Sequence, residues 1–218
     1  MANLLITAGP TREPIDRVRF IGNRSSGRMG VAIAQAAADA GHDVTLLLGP
    51  APDPESPETL RTRMKLFHFE TTAELDELLH EFAAWYDVLI MAAAVADYRP
   101  VARAGAKLER LEKGQTLTLE LEPTEDLVAH AASHKRGDQR IIAFALEEAA
   151  KLEARASEKL RRKRVDAIVA NPLETMDAAD VDAVLLWSDG RREPAGRMSK
   201  AAFAAWLVGK VAERREPQ

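Results

Sequence analysis

The chain has 218 residues, of which 46% are hydrophobic and 29% charged, so it has enough apolar material for one domain with a buried core. Its formal net charge is −4, which argues against a dedicated nucleic-acid or anionic-membrane surface, and the absence of cysteine excludes thiolate catalysis and cysteine-ligated metal sites. Because it shows no signal peptide and no apolar stretch of the roughly 20 residues that cross a bilayer, we expect a cytoplasmic protein.

The amino-terminal part of the chain predicts a strand, a loop, a helix and a second strand. Residues 4–8 form a continuous apolar run, which is typical of a buried parallel strand. Ser25 and Ser26 are placed to cap a helix that begins near Gly27, and the next strand is predicted over 43–48. Such a unit begins a doubly wound, Rossmann-like fold.

The remaining elements continue this α/β pattern. We predict strands over 67–69, 87–92, 116–121, 140–146 and 166–170, a hairpin from 181 that turns at 189–190, and helices that begin near 71, 123, 147 and 199. The chain is therefore expected to form a single domain over residues 1–218. Its sheet should be mostly parallel with helices on both faces, and a small antiparallel extension should occupy about 98–122.

The densest polar cluster, residues 11–30, lies between the first strand and the first helix. Backbone N–H groups at a helix start favour phosphate, and Gly27 and Gly30 would let an anion approach the backbone closely. The spacing matches neither the dinucleotide-binding nor the P-loop pattern. By composition alone, a helix cap and a tight packing contact explain these residues equally well.

Two further clusters have both a functional and a structural interpretation. Asp97 follows a buried strand in an alanine-rich loop, where it could accept hydrogen bonds from a ligand or act as a turn residue. Lys159 and Lys163 lie on one helix face, where they could hold a triphosphate or form a solvated helix end.

The five histidines predict no metal site. His42, His68, His80, His130 and His134 show no zinc-ligand spacing. His130 and His134 are four residues apart but belong to no H-E-x-x-H pattern, so we interpret them as surface residues.

Three motifs resemble those of the phosphopantothenate–cysteine ligase family. They are TAGPTREPIDRVRFIGNRSSGRMG at 7–30, AAAVADYRP at 92–100, and KLRRK at 159–163 with DAIVAN at 166–171. The resemblance implies an α/β ligase that joins L-cysteine to 4′-phosphopantothenate. In that family the substrate carboxylate attacks the α-phosphate of CTP, or of ATP in the eukaryotic branch, with Mg²⁺ assisting. The cysteine amine then displaces the nucleoside monophosphate.

The resemblance also implies a free-standing homodimer without the flavin-dependent decarboxylase that often precedes this ligase. It assigns the catalytic roles to Asn23, beside the substrate carboxylate, and to Lys107, on a mobile flap. The implied substrate-binding residues are Asn23, Ala93, Ala94 and Asp97. The implied nucleotide-binding residues are Gly9, Ser25, Gly27, Gly30, Met91, Ala92, Ala93, Asp97, Lys107, Glu125, Asp126, Leu127, Val128, Phe144, Lys159, Lys163 and Asn171.

Departures from the family pattern keep a second hypothesis open. The lysine-rich flap is reduced to Lys-Leu-Glu-Arg at 107–110, and the segment after Asn171 lacks the usual glycines. A catalytically impaired or regulatory nucleotide-binding Rossmann-like module is the alternative. The departures bear most on the choice of nucleotide, for which we expect CTP rather than ATP.

Overall fold

The computed structural model of the protein describes residues 1–50, 57–102, 105, 107–109, 116–175 and 178–212. The strands are β1 (Asn3–Ala8), β2 (Arg12–Pro14), β3 (Phe20–Gly22), β4 (Asp43–Leu48), β5 (Lys65–His68), β6 (Val88–Met91), β7 (Tyr98–Pro100), β8 (Leu121–Pro123), β9 (Arg140–Glu147), β10 (Ala167–Pro172), β11 (Asp180–Trp187) and β12 (Arg192–Ser199). The α-helices are α1 (Arg28–Asp39), α2 (Pro57–Arg61), α3 (Thr72–Glu81), α4 (Leu127–His134), α5 (Leu152–Lys163) and α6 (Lys200–Ala212). None of the helices in these ranges is long and apolar enough to be a membrane span.

One eight-stranded sheet organises the described chain, in the order β12-β11-β10-β9-β6-β1-β4-β5. From β10 to β5 all neighbouring strands are parallel, and β11 and β12 add an antiparallel edge. The apolar runs in β1, β4 and β6 are buried along nearly their whole length because helices cover both faces of the sheet. The predicted Rossmann-like α/β fold is confirmed.

Successive side chains of each strand point to opposite faces of the sheet, and this divides the core in two. Leu4 and Ile6 of β1 pack in a cluster with residues of α1 and α6. Leu5, between them, packs in a second cluster with residues of α3, α4 and α5. The central strands are therefore anchored from both sides, which fixes the positions of their carboxyl ends.

Thr71 and Ser199 cap the helices that were predicted to begin near 71 and 199, whereas the predicted serine cap of α1 is absent. Thr71 forms a capping box with Glu74, and Ser199 Oγ accepts a hydrogen bond from Ala202 N at 3.2 Å. The prediction that Ser25 or Ser26 caps α1 is wrong, because Gly27 occupies the cap position with a φ of 70° and no side-chain hydrogen bond caps the helix. The chain enters α1 through a left-handed turn that glycine adopts without strain.

The predicted strand over 116–121 and the predicted helix start near 123 are also wrong. Within the described residues, 116–120 belong to no strand, although Glu120 O accepts from Val101 N at 3.0 Å and β8 pairs with β7 immediately afterwards. Leu117, Leu119 and Leu121 are 38–49% exposed, so their alternation has no covered face to pack against. The helix starts later because Thr124 N donates to Asp97 O at 3.0 Å, and Asp126 then caps α4.

The long charged helix predicted from about 147 also begins later than expected. A short 3-10 turn at Ala149–Lys151 precedes α5. Strand β9 meanwhile continues to Glu147, beyond the predicted end of that strand.

Gly30 is required by packing between α1 and β1. A Cβ at this position would lie 2.5 Å from Ala8 Cβ and 2.9 Å from Thr7 O. We expect Gly30→Ala to lower the free energy of unfolding by about 1–3 kcal/mol, the usual cost of overpacking, as measured by urea denaturation.

A matched control is Gly209→Ala on the exposed side of α6, where no atom lies within 4 Å of the added Cβ. This second variant should gain stability, because alanine is the better helix former. An unchanged urea midpoint for Gly30→Ala would contradict the packing role.

Candidate functional site

The site lies at the carboxyl ends of the central parallel strands. From β1 the chain passes to β4 on one side, whereas β6 lies on the other side of β1. Open α/β sheets bind ligands at the crevice that such a reversal of strand order creates. The loops that follow β1 and β6 form the floor of this crevice.

Hydrogen bonds join these two loops directly. Ala94 N donates to Gly9 O at 2.9 Å, and Thr11 N donates to Ala94 O at 3.1 Å. Ala96 N donates to the buried Thr11 hydroxyl at 2.8 Å. The alanine-rich segment is therefore fixed to the first motif, and its small side chains leave the space above it open.

Asn23 is held at the rim of the crevice. It follows β3 in an exposed position, and its Nδ2 donates to Val95 O across the cleft floor at 2.8 Å. This contact joins the first motif to the second at the residue to which the family resemblance assigns a catalytic role.

Most of the predicted site residues line two adjoining cavities. The larger has a volume of about 770 Å³, and among its lining residues are Asn23, Met91, Ala93, Ala94, Asp97, Glu125, Asp126, Leu127, Val128, Phe144, Lys159 and Lys163. The smaller cavity is lined by Ser25, Gly27, Gly30, Ala92 and Asn171, together with Ala93, Ala94 and Phe144 that it shares with the first. Three motifs distant in sequence are thus brought to one cleft.

Two predicted site residues are not among those lining residues. Gly9 has a φ of 83°, and a Cβ there would lie 3.1 Å from Gly49 O, so it shapes the turn beneath the cleft. Lys107 is exposed and lies outside both cavities. Of the altered flap sequence, Arg110 falls outside the described residues.

The segment next to Lys107 is attached to the first motif through Asp16. Leu108 N donates to Asp16 Oδ2 at 3.0 Å, and Arg19 Nη2 donates to Leu108 O at 2.8 Å. The hydrogen bond from the Arg19 guanidinium, together with three from backbone amides, holds the pKa of the buried Asp16 carboxyl well below its usual range. The sequence placed Asp16 within the motif but gave no indication of this structural role.

The cationic wall of the cleft is paired with carboxylates. Lys163 Nζ lies 2.8 Å from Asp126 Oδ1, and Lys159 Nζ lies 2.6 Å from Glu147 Oε1. Burial acts to raise the pKa of Asp126, but the hydrogen bonds from Lys163 and Ala129 N outweigh it, and the pKa falls below its ordinary value. To hold a phosphate, these lysines would exchange one anionic partner for another.

Several lining residues were not identified from the sequence. Arg24 and Arg28 lie within the first motif, whereas Arg162, Thr175 and Lys200 come from α5, the segment after β10 and the start of α6. Lys200 carried no sequence signal, because only the fold brings the start of α6 to the cleft.

Asn171 offers an acceptor to a ligand. Its buried Oδ1 has no hydrogen-bond partner within the described part of the chain, and buried polar atoms are normally paired. Since Asn171 also lines the smaller cavity, a ligand N–H group is a suitable partner for this oxygen.

Comparisons with known proteins place the chain in a family. Residues 1–214 match the family described as the DNA/pantothenate metabolism flavoprotein C-terminal domain. The chain is 42% identical over 174 residues to a cysteine/cysteine sulfinic acid decarboxylase from an unknown prokaryotic organism, covering 78% of this chain and 46% of that protein. It is 38% identical over 221 residues to the coenzyme A biosynthesis bifunctional protein CoaBC of Mycobacterium tuberculosis strain H37Rv, covering 95% of this chain and 51% of that protein.

A solved structure covers nearly the same extent as this chain. The crystal structure of the C-terminal domain of coenzyme A biosynthesis bifunctional protein CoaBC is 32% identical, with a TM-score of 0.79 over 96% of this chain and 93% of that one. The chain spans about half the length of the curated relatives it matches. The family resemblance of the three motifs is confirmed, and the protein belongs to the family of DNA/pantothenate metabolism flavoprotein C-terminal domains.

Proposed function

We propose that the protein is a phosphopantothenate–cysteine ligase of coenzyme A biosynthesis. It joins L-cysteine to 4′-phosphopantothenate through an acyl-nucleotidylate and releases a nucleoside monophosphate and pyrophosphate. The observation that carries the proposal is the convergence of the Asn23 amide, the start of α1 and the alanine-rich loop at one crevice. The name of the CoaBC relatives supports it.

The first chemical problem is that both reactants are anions. The substrate carboxylate must approach a triphosphate, so the site has to supply donors and cations where negative charge accumulates. The N–H groups at the start of α1 provide one such set, with the helix dipole behind them. Arg24, Arg28 and Lys200 line the same cavity and provide positive charge beside them.

The second problem is to position the acyl group for attack by the cysteine amine. The Asn23 amide is fixed at the rim of the cleft by its bond to Val95 O. From there it can orient the substrate carboxylate and then donate to the acyl oxygen, on which negative charge develops when the amine adds. The nucleoside monophosphate leaves as the amide forms, and the amine loses its proton.

We assign the nucleobase to the part of the cleft near Phe144 and Asn171. The unpaired Asn171 Oδ1 could accept from the exocyclic amine that cytosine and adenine both carry, so this contact alone does not distinguish CTP from ATP. Mg²⁺ is expected to accompany the triphosphate, and the carboxylates of Asp97 and Glu125 on the cleft wall are of the type that this ion prefers. Its role is to neutralise phosphate charge.

A pyrophosphate-release assay tests the proposal. Purified protein is supplied with 4′-phosphopantothenate, L-cysteine, Mg²⁺ and either CTP or ATP, and we expect product of the ligase mass with a higher rate for CTP. Leaving out 4′-phosphopantothenate should abolish pyrophosphate release. Nucleotide binding without release in the complete mixture would favour the alternative, a catalytically impaired or regulatory nucleotide-binding module.

A homodimer and a cytoplasmic location remain predictions. The extension at about 98–122 carries apolar side chains, including Tyr98 and Val101 at 55% and 50% exposed and Leu117 at 49%. Such a surface is suited to burial against a second subunit. This supports the extension as the dimer contact, and the mass in solution, measured by light scattering, tests it.

A further inference from the structure

Four side chains of types that can bind metal ions face one another between α3 and α4, in a pocket separate from the two cavities of the cleft. Asp76 and His80 are one helical turn apart on α3, and His130 and His134 are one turn apart on α4. Residues at this spacing share a helix face. The two faces meet in a small pocket that all four side chains line.

Three of the four side chains are close enough to share one ion. Asp76, His80 and His130 each offer a ligand atom, and these atoms lie within 4.8 Å of one another. His130 Nδ1 lies 3.0 Å from Asp76 Oδ1. The ring centroids of His80 and His134 lie 5.4 Å and 4.7 Å from that of His130.

The surroundings of the cluster also suit a metal. Leu79, Leu89 and Leu127 line the same pocket, so the four polar side chains lie beside an apolar surface. His134 Nδ1 lies 3.0 Å from His130 O, and donation to that carbonyl leaves His134 Nε2 with a lone pair for an ion. A hydrogen bond from one ring nitrogen to a backbone carbonyl is the usual arrangement of a metal-ligating histidine.

An ion pair between Asp76 and His130 would explain only half of this arrangement. It gives no reason for two more imidazoles beside it, one from each helix. A divalent transition-metal ion satisfies all of these side chains together, since imidazole nitrogen and carboxylate oxygen are ligands that Zn²⁺ prefers.

We propose that Asp76, His80 and His130, with His134 as fourth ligand, form a site for a divalent transition-metal ion of the Zn²⁺ class. Tetrahedral ligation with bonds of about 2.0–2.1 Å brings ligand atoms to roughly 3.4 Å from one another. The exposed His80 side chain has room to rotate towards the other ligands. The bound ion joins α3 to α4 and thereby stabilises the fold.

The site is also next to the cleft. Leu127 lines both the histidine pocket and the larger cavity, and His130 N donates to Asp126 O at 2.9 Å in the first turn of α4. An ion held by His130 therefore restrains the helix whose first residues form one wall of the cleft. The site itself needs no contact with substrate.

Metal titration of the purified protein tests the proposal. The chain is prepared without a histidine tag, stripped with a chelator and titrated with Co²⁺, which should give the visible absorption bands of a tetrahedral site saturating at one ion per chain. Zn²⁺ should displace Co²⁺ and raise the thermal midpoint by about 5–10 °C at a hundredfold excess over its dissociation constant. No absorption band, or no shift with Zn²⁺, would overturn the proposal.

Variants locate the site independently of catalysis. His80→Ala, at an exposed position, and the isosteric Asp76→Asn should each weaken the affinity for Zn²⁺ by about tenfold to hundredfold or more. Residues that only hydrogen-bond to metal ligands already contribute about that much to metal affinity. His68→Ala removes an exposed histidine of β5 and is the matched control, with binding expected as in the unmodified protein. Equal affinity in all three variants would show that the ion binds elsewhere.

Discussion

Replacing Asn23 with alanine is expected to leave a folded protein whose ligase turnover falls about 100-fold or more, the usual cost of removing one preorganised donor from a site of developing charge. The amide is exposed and bonds to Val95 O, so its removal leaves the core untouched. Because the family resemblance places Asn23 at the conversion of the acyl-nucleotidylate, that intermediate should accumulate.

The measurement is mass spectrometry of a quenched reaction, alongside the rate of product formation. Asn3→Ala is a closely matched control, because Asn3 Nδ2 also donates to a backbone carbonyl, Trp85 O at 3.1 Å. Asn3 begins β1, at the amino-terminal edge of the sheet and opposite the cleft. Unchanged turnover in Asn23→Ala, or an equal loss in both variants, would remove Asn23 from the mechanism.

The central strands could be predicted because the sequence of each strand indicates that both of its faces are buried. After their first residue, β1 and β4 are apolar except for one threonine each, and β6 is wholly apolar; this pattern is typical of a sheet with both faces covered. The same reasoning failed at residues 116–121. Alternation there indicates a strand with one covered face, yet residues 116–120 form no strand within the described chain, and Leu117 and Leu119 are 49% and 38% exposed.

The local sequence does not decide between a binding role and a structural role for the glycines and serines of the first motif. Gly27 and Gly30 are equally compatible with phosphate binding and with packing, and Gly30 proves to be required by its contact with Ala8. A serine before a helix predicts a cap. At Ser25 the hydroxyl instead accepts from Gly27 N at 3.3 Å, within the turn that precedes the helix.

The site was predictable where its residues belong to long motifs and not where folding alone assembles it. Arg162 and Lys200 reach the cleft because α5 and the start of α6 lie beside it, and neither residue has a distinctive local context. The histidine cluster is a similar case. The spacing of His130 and His134 was visible in the sequence, but Asp76 and His80 lie at least 50 residues earlier on another helix.

Lys107→Ala is expected to lower ligase turnover about 100-fold while leaving the thermal midpoint unchanged, because Lys107 is exposed and lies outside the described core. Its neighbour Leu108 is tied to Asp16, in the same motif as Asn23. This attachment ties the backbone beside Lys107 to the motif that supplies Asn23, and we expect the long side chain to extend from there towards the cleft. The charge can then reach the triphosphate when the nucleotide binds, where two anions must be held together.

The control for Lys107 is Lys65→Ala, which removes an exposed lysine at the start of β5 that pairs with Asp43 at 3.6 Å. Lys107→Arg keeps the charge and should retain part of the activity. If turnover depends on the positive charge that Lys107 brings to the phosphates, activity should rank unmodified protein and Lys65→Ala first, Lys107→Arg next and Lys107→Ala last. Comparable activity in Lys107→Ala and the unmodified protein would contradict this role. The cations that line the cleft, including Lys163 and Lys200, would then be sufficient to neutralise the triphosphate without the flap.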